Sequence, residues 1–208
     1  MGRPREHDER TAIALLAAAE RTIEERGIGA LSLRELARDA GTTTRAVYSL
    51  FGSKDGLLGA LGARAFELLQ AGVEALPASD DPRDDLVDAG LMFRRFVLEH
   101  PALFSIGIQV TEPSLCPRFR PAASEALAAL HRRVEPLADA GLLGRRTVPE
   151  AAMQFHALCE GLAALELRRT PIAPRPEQFW RHALHALVTG FAESTPPKRR
   201  RATRRVAS

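Results

Sequence analysis

Apolar residues in this chain recur at three- and four-residue spacings, and clusters of glycine, proline, serine and threonine cut that pattern into helix-length pieces. Over residues 8–26, Ala12, Leu16, Ala19 and Ile23 mark one face of an expected first helix, with Gly27 suited to the left-handed position after its end. "SLRE" then predicts a capping box. Ser32 accepts from the amide three residues on and Glu35 reaches back, the serine cap contributing about 1 kcal/mol. Leu33, Leu36, Ala37 and Ala40 give the second helix its inward face, and Gly41 stops it. A third helix follows at once, capped by Thr42 or Thr43, with Ala46, Val47, Leu50 and Phe51 inward and Gly52 at its end. Ser53 opens a fourth, carrying Leu57, Leu58, Leu61, Leu68 and Leu69.

The break "PASDDP" follows Leu76, and "RDDLVDAGLMFRRFVLEHP" reads as a helix with Leu86, Leu91, Phe93 or Phe96, and Leu98 available for burial. "ALFSIGIQV" is a short apolar segment closed by "TEPSLCP". A helix is expected over residues 121–140, kinked at Pro136, another from Thr147 and Pro149 to 169, and a last over 177–193 after the rigid linker "TPIAPRP". No strand-like alternation and no internal repeat is present, so the fold class is all-α. Helix, glycine-containing turn and short helix over residues 32–51 form a helix-turn-helix pattern. Both helices are too short to stand alone and need the first and fourth to complete a core. The expected organisation is a small helical domain over 1–60, a second helical domain over 61–195 and a basic tail over 196–208.

Composition agrees with helices: hydrophobic residues make up 45%, charged residues 26% and aromatics only 5%. Cys116 and Cys159 form no close pair or metal-type spacing, which argues against a disulfide framework and for a reducing compartment. The charged N-terminus has no apolar signal core, and no apolar run approaches the ~20 residues of a membrane helix, so the expected location is cytoplasmic with no membrane partner. Net charge is +3, yet Lys198, Arg199, Arg200, Arg201, Arg204 and Arg205 all lie in the tail, leaving the rest net acidic. That tail is either a solvated end or a source of sequence-independent attraction to nucleic acid.

The stretch "LSLRELARDAGTTTRAVYSLFGSKDGLLGAL", residues 31–61, resembles the TetR family of bacterial transcriptional repressors. The resemblance rests on Leu36-Ala37, Ala40-Gly41, the polar cap at Thr43, Tyr48 followed by Phe51, and Lys54 ahead of Leu57-Leu58. "HPALF" at 100–104 and "GLAALEL" at 161–167 carry a weaker likeness to one branch's C-terminal domain. The resemblance implies a third helix that enters the major groove of operator DNA, a homodimer, and a small-molecule effector in the C-terminal domain that releases the DNA. No cofactor and no metal are expected.

Ser32 and Thr43 sit at helix N-termini, where free amides favour a phosphate oxygen, and Thr42 stands directly before Thr43 at the start of the third helix. Tyr48 either reaches a phosphate or fills the core; Lys54 and Arg34 are further phosphate candidates, Arg34 otherwise being a solvated arginine. Base reading falls to Thr44, Arg45 and Ser49, with Arg45 either bridging a guanine or clamping a phosphate. Arg3 and Arg5 in "MGRPRE" resemble the core of minor-groove AT-hook arms, with Pro4 expected to keep the arm extended; a frayed terminus is the alternative. Residues 1–60 hold nine basic and nine acidic side chains, so binding would depend on placement of charge rather than its bulk.

In the second half, Met92, Phe93, Phe96, Phe104, Ile108, Met153, Phe155 and Trp180 are candidates to line an effector cavity or simply to fill the core. No buried charge pattern is evident, which points to an apolar effector. His156, Cys159 and Glu160 form a polar patch within one helical turn, at a spacing that matches no strong metal motif. Gly161, Ala163, Ala164, Ala183, Ala186 and Gly190 let helices approach closely, as a dimer interface through the last two helices requires. An enzyme finds no support, for there is no Gly-x-Ser-x-Gly, His-Glu-x-x-His or phosphate-binding glycine loop. The neutral N-terminal charge leaves open a helical sensor without sequence-specific DNA reading.

Overall fold

The computed structural model describes residues 3–107, 117–170 and 173–192, with side chains from residue 8 onward. Ile108, Cys116, the basic tail and the side chains of Arg3 and Arg5 lie outside the described residues. Among the described residues the elements are all helical: α1 (Arg3–Arg26), α2 (Leu33–Asp39), α3 (Thr44–Phe51), α4 (Lys54–Glu74), α5 (Pro82–Glu99), α6 (Pro101–Gly107), α7 (Phe119–Asp139), α8 (Val148–Leu167) and α9 (Pro176–Ala192).

Local chemistry sets most of the boundaries. Ser32, Thr43, Ser53 and Thr147 each cap a helix, their hydroxyls accepting from Glu35, Ala46, Gly56 and Glu150 amides respectively. Gly41 and Gly52 adopt φ of +65° and +73°, which L side chains resist, so the chain turns sharply on both sides of α3. The full capping box forms at Thr147 and Glu150. At Ser32 the serine half forms, at 3.5 Å, while the Glu35 carboxylate turns to Arg26 at 3.9 Å.

Three expectations need correction. α1 begins at Arg3, so the backbone of "RPRE" is helical and not an extended arm. Pro4 sits in the first turn, where its missing amide costs nothing, and Glu6, Asp8 and Glu9 suit a helix N-terminus. The buried stripe of α1 is Leu15, Ala18, Ala19 and Ile23, with Ala12 and Leu16 only half-buried, because α1 packs on α6 as well as on α2, α3 and α4. Leu98, offered for burial on α5, is exposed. The short apolar segment after His100 forms the helix α6, in keeping with an all-helical second half, with Ala102, Leu103, Phe104 and Ile106 buried.

α4 runs from the small N-terminal cluster into the second half, lying along α6 and α7. Its Gly62 meets Gly107 of α6 so closely that a Cβ on Gly107 would stand 2.8 Å from the Ala65 Cβ. α5 is the central helix, touching α4, α6, α7, α8 and α9. Buried and partly buried charge, which the sequence does not predict, ties these helices together. The Arg94 guanidinium forks onto Glu166 at 2.6 and 3.0 Å, and the Trp180 indole N–H donates to the same carboxylate at 2.9 Å. Asp85 accepts from the Ser79 amide at 2.8 Å and faces Arg133, which also donates to the Pro77 carbonyl at 2.6 Å.

Candidate DNA-binding face and effector cavity

α3 is held by a single fully buried side chain, Val47, with Ala46, Leu50 and Phe51 half-buried beside it. Its other face is open: Arg45, Tyr48 and Ser49 are exposed and Thr44 is half-buried. Tyr48 is 53% exposed, which removes the core alternative for that ring. Arg45 and Ser49, with Thr42 and Thr43, border a surface cleft closed on its far side by Asp8 and Thr11 of α1. An acidic side chain at one wall limits how a phosphate can enter there, and Arg45 is the cation that offsets it.

The capping hydroxyls of Ser32 and Thr43 accept amide protons, which leaves each O–H free to donate outward. Thr42 does not cap; its amide donates to the Ala37 carbonyl at 2.8 Å and fixes the turn. Arg34 is exposed on α2. The Lys54 ammonium reaches the Ile28 carbonyl at 3.4 Å, so it braces the turn between α1 and α2 while staying half-exposed.

The second feature is a cavity of about 230 Å³ between α4, α5, α7 and α8. Met92 and Phe93, from α5, and Met153, His156 and Cys159, from α8, all line it as the sequence suggests, together with Phe155. Phe96 and Phe104 lie behind the lining: Phe104 is fully buried and meets the Phe93 ring edge-on at 6.1 Å, and Phe96 stacks toward His100 at 5.6 Å. Trp180 is committed to Glu166 instead. The walls that sequence reasoning missed are Phe66, Leu69 and Val73 of α4 and Ala123, Ala126, Leu127 and Leu130 of α7. Their helical spacing is visible in the sequence, but it marks only an inward face.

Among the lining side chains His156 is the strong hydrogen-bonding group. Its Nε2 lies 3.4 Å from Glu160 Oε1 and its ring meets Phe93 edge-on at 6.1 Å. Burial pushes the Cys159 thiol well above its ordinary range, so it stays protonated and behaves as an apolar wall. Among the described residues no group of His, Cys, Asp and Glu is placed to hold a metal ion, and no helix is long and apolar enough to cross a membrane.

On the outside of α8, Met153, Ala157, Gly161 and Leu165 form an exposed stripe at four-residue spacing. On α9, Phe179 and Ala186 are exposed, with Ala183, Leu187 and Gly190 half-buried. A Cβ added at Gly161 or Gly190 would meet nothing within 4 Å, so neither glycine is demanded by packing inside this chain.

Known proteins share both halves of this arrangement. Residues 15–61 match the model of bacterial regulatory proteins, tetR family, and residues 86–187 match that of the tetracyclin repressor-like C-terminal domain. A protein with unknown function from Rhodococcus sp. RHA1 is 26% identical over 88% of this chain and 95% of its own, with a TM-score of 0.78. The TetR family transcriptional regulator PfmR from Thermus thermophilus is 22% identical over 85% and 97%, with a TM-score of 0.63. RolR, solved in complex with resorcinol, is 19% identical over 93% and 98%, with a TM-score of 0.63. No curated protein matches the chain. A helix-turn-helix held open on one side of α3, joined by α4 to a second helical half that the family models also match, leads to one conclusion: the chain belongs to the TetR family of bacterial regulatory proteins and is a DNA-binding regulator of transcription.

Proposed function

We propose that this regulator is a homodimeric repressor that a small, largely apolar effector releases from its operator. The observation that carries the reading is the division of α3, with Val47 buried and Thr44, Arg45, Tyr48 and Ser49 turned outward. In this reading Thr44, Arg45 and Ser49 meet base edges in the major groove. Ser32, Arg34, Thr42, Thr43, Tyr48 and Lys54 hold the flanking phosphates, and Arg3 and Arg5 add charge from the start of α1. The exposed apolar stripes of α8 and α9 support a symmetric interface formed by two copies of the helix pair. Such a dimer presents its two α3 helices to half-sites about one DNA turn, ~34 Å, apart. The apolar cavity supports the effector role, and RolR, a protein of the same fold, is solved with resorcinol. The protein works in the cytoplasm.

Selection of genomic fragments bound by the full-length chain tests the reading. A recovered inverted repeat, lost with the Tyr48→Ala, Lys54→Ala double variant, supports it. The balance of nine acids and nine cations in residues 1–60 favours a second reading, a sensor that does not read sequence. Salt-sensitive binding without sequence preference would select that one.

A further inference from the structure

The cavity's chemistry is more specific than its apolar character, and it restricts what the effector is. Its volume of about 230 Å³ lies below the range of pockets for drug-sized ligands. An engineered apolar cavity of ~150 Å³ accepts benzene, so by proportion this one accepts a molecule of about ten non-hydrogen atoms. Phe66, Phe93 and Phe155 present rings from three different helices, and Met92 and Met153 add polarizable sulfur, a wall suited to an aromatic or short alkyl body. Among the described residues no Asp, Glu, Lys or Arg lines the space. A charged ligand would lose its hydration there without a fixed countercharge.

One polar group interrupts this wall. His156 is half-buried, its ring edge-on to Phe93, and Glu160 stands beside Nε2 at 3.4 Å. With Nε2 facing Glu160, Nδ1 is the ring nitrogen left to meet a ligand's hydrogen-bond donor. Cys159, the other lining side chain that carries a donor hydrogen among the described residues, stays a protonated thiol and offers only a weak contact. Met153 and Leu127, at 53% and 39% exposure, mark where the cavity reaches the surface of the single chain between α7 and α8.

We propose that this site takes an uncharged aromatic or alkyl-aromatic molecule of about ten non-hydrogen atoms that donates one hydrogen bond to His156, a phenol being the simplest chemistry that fits. This inference rests on the cavity being the effector site of the proposed regulator.

The test is calorimetric titration of the full-length protein, without DNA, using 4-propylphenol, propylbenzene and the size-matched 4-methylbenzoate. The expected order is phenol tightest, the hydrocarbon weaker by roughly 5- to 20-fold for the lost hydrogen bond, and the carboxylate weakest. His156→Phe should abolish the phenol's advantage over propylbenzene, with the thermal melt confirming that the variant is folded. Ala126→Trp, which fills the space from α7, should remove binding of both. Tighter binding of the benzoate, or a phenol preference that survives His156→Phe, overturns the inference. The same ligands are then added to the protein–DNA complex. A phenol that binds the protein but does not release DNA leaves this inference standing and refutes the repressor reading. A benzoate that alone binds and releases DNA does the reverse.

Discussion

Glu20 Oε1 lies 2.6 Å from His100 Nδ1, joining the middle of α1 to the junction between α5 and α6. Glu20 is 8% exposed, one of two buried charged residues among those described. His100 in turn packs on Phe96 at 5.6 Å, and Phe96 on the cavity-lining Phe93 at 6.5 Å. Glu24, one turn along α1, accepts from the Ala102 backbone, although burial first and the adjacent Glu20 second push its carboxyl up. A contiguous set of contacts therefore runs from the cavity to the helix that supports α2 and α3. Contiguity alone does not establish coupling; a substitution must shift it.

Removing one partner of this pair supplies that substitution. Glu20→Ala leaves the His100 ring without its hydrogen bond and should cost about 1–3 kcal/mol in urea unfolding. If the pair also couples the halves, the variant binds DNA but needs a different effector concentration for release. An unchanged release curve restricts the pair to stability.

The crossing of α4 and α6 tolerates almost no added volume. A Cβ on Gly107 would meet the Ala65 Cβ at 2.8 Å and the Gly62 carbonyl oxygen at 3.3 Å, neither of which can rotate away. A Cβ on Gly62 would meet the Phe119 ring at 2.5 Å, and that side chain can turn. Gly107→Ala should therefore destabilise by about 1–3 kcal/mol and Gly62→Ala by less. Equal costs in denaturant titrations would show that the ring is as fixed as the backbone.

Glu166 carries two partners at once. Its side chain and that of Arg94 are 15% and 14% exposed, so Glu166→Ala would strand the Trp180 indole N–H and leave the guanidinium only the exposed Glu177 carboxylate at 3.9 Å. The expected loss is about 3–5 kcal/mol, accompanied by a change in the near-ultraviolet dichroism of Trp180. Arg94→Met with Glu166→Leu should recover part of that loss, because no buried charge is then left unpaired. Failure to recover any would assign the cost to packing instead.

The cap of α8 should register in the pH dependence of stability. Hydrogen bonds from the Thr147 backbone and then its side chain hold the Glu150 carboxyl below its ordinary value of 4.5. A folded-state value lowered in this way contributes stability above that ordinary value, and the contribution is lost as pH falls through the lower folded one. Wild type should exceed Glu150→Gln at neutral pH, and the two should converge in acid. The group is fully exposed, so the difference is small, and a gap that persists in acid would trace it to the cap geometry rather than to charge.

Helix starts and stops were legible in the sequence because they are local. Ser32, Thr43, Ser53 and Thr147 cap where their spacing to the following amides says they do, and Gly41 and Gly52 turn where only glycine is comfortable. The helix-turn-helix and the outward face of α3 follow from the same few residues. The cavity was legible only in part. Met92, Phe93, Met153, His156 and Cys159 line it, but an apolar stripe does not distinguish a residue facing a void from one facing another side chain, as Phe104 and Phe96 do. That distinction depends on where α4 and α7 come to lie, and these helices supply Phe66, Leu69, Ala123 and Leu127 from far along the chain. The same holds for Glu20, whose partner is eighty residues away. Spacing along one helix determines which side faces inward; only packing between helices decides what that side meets.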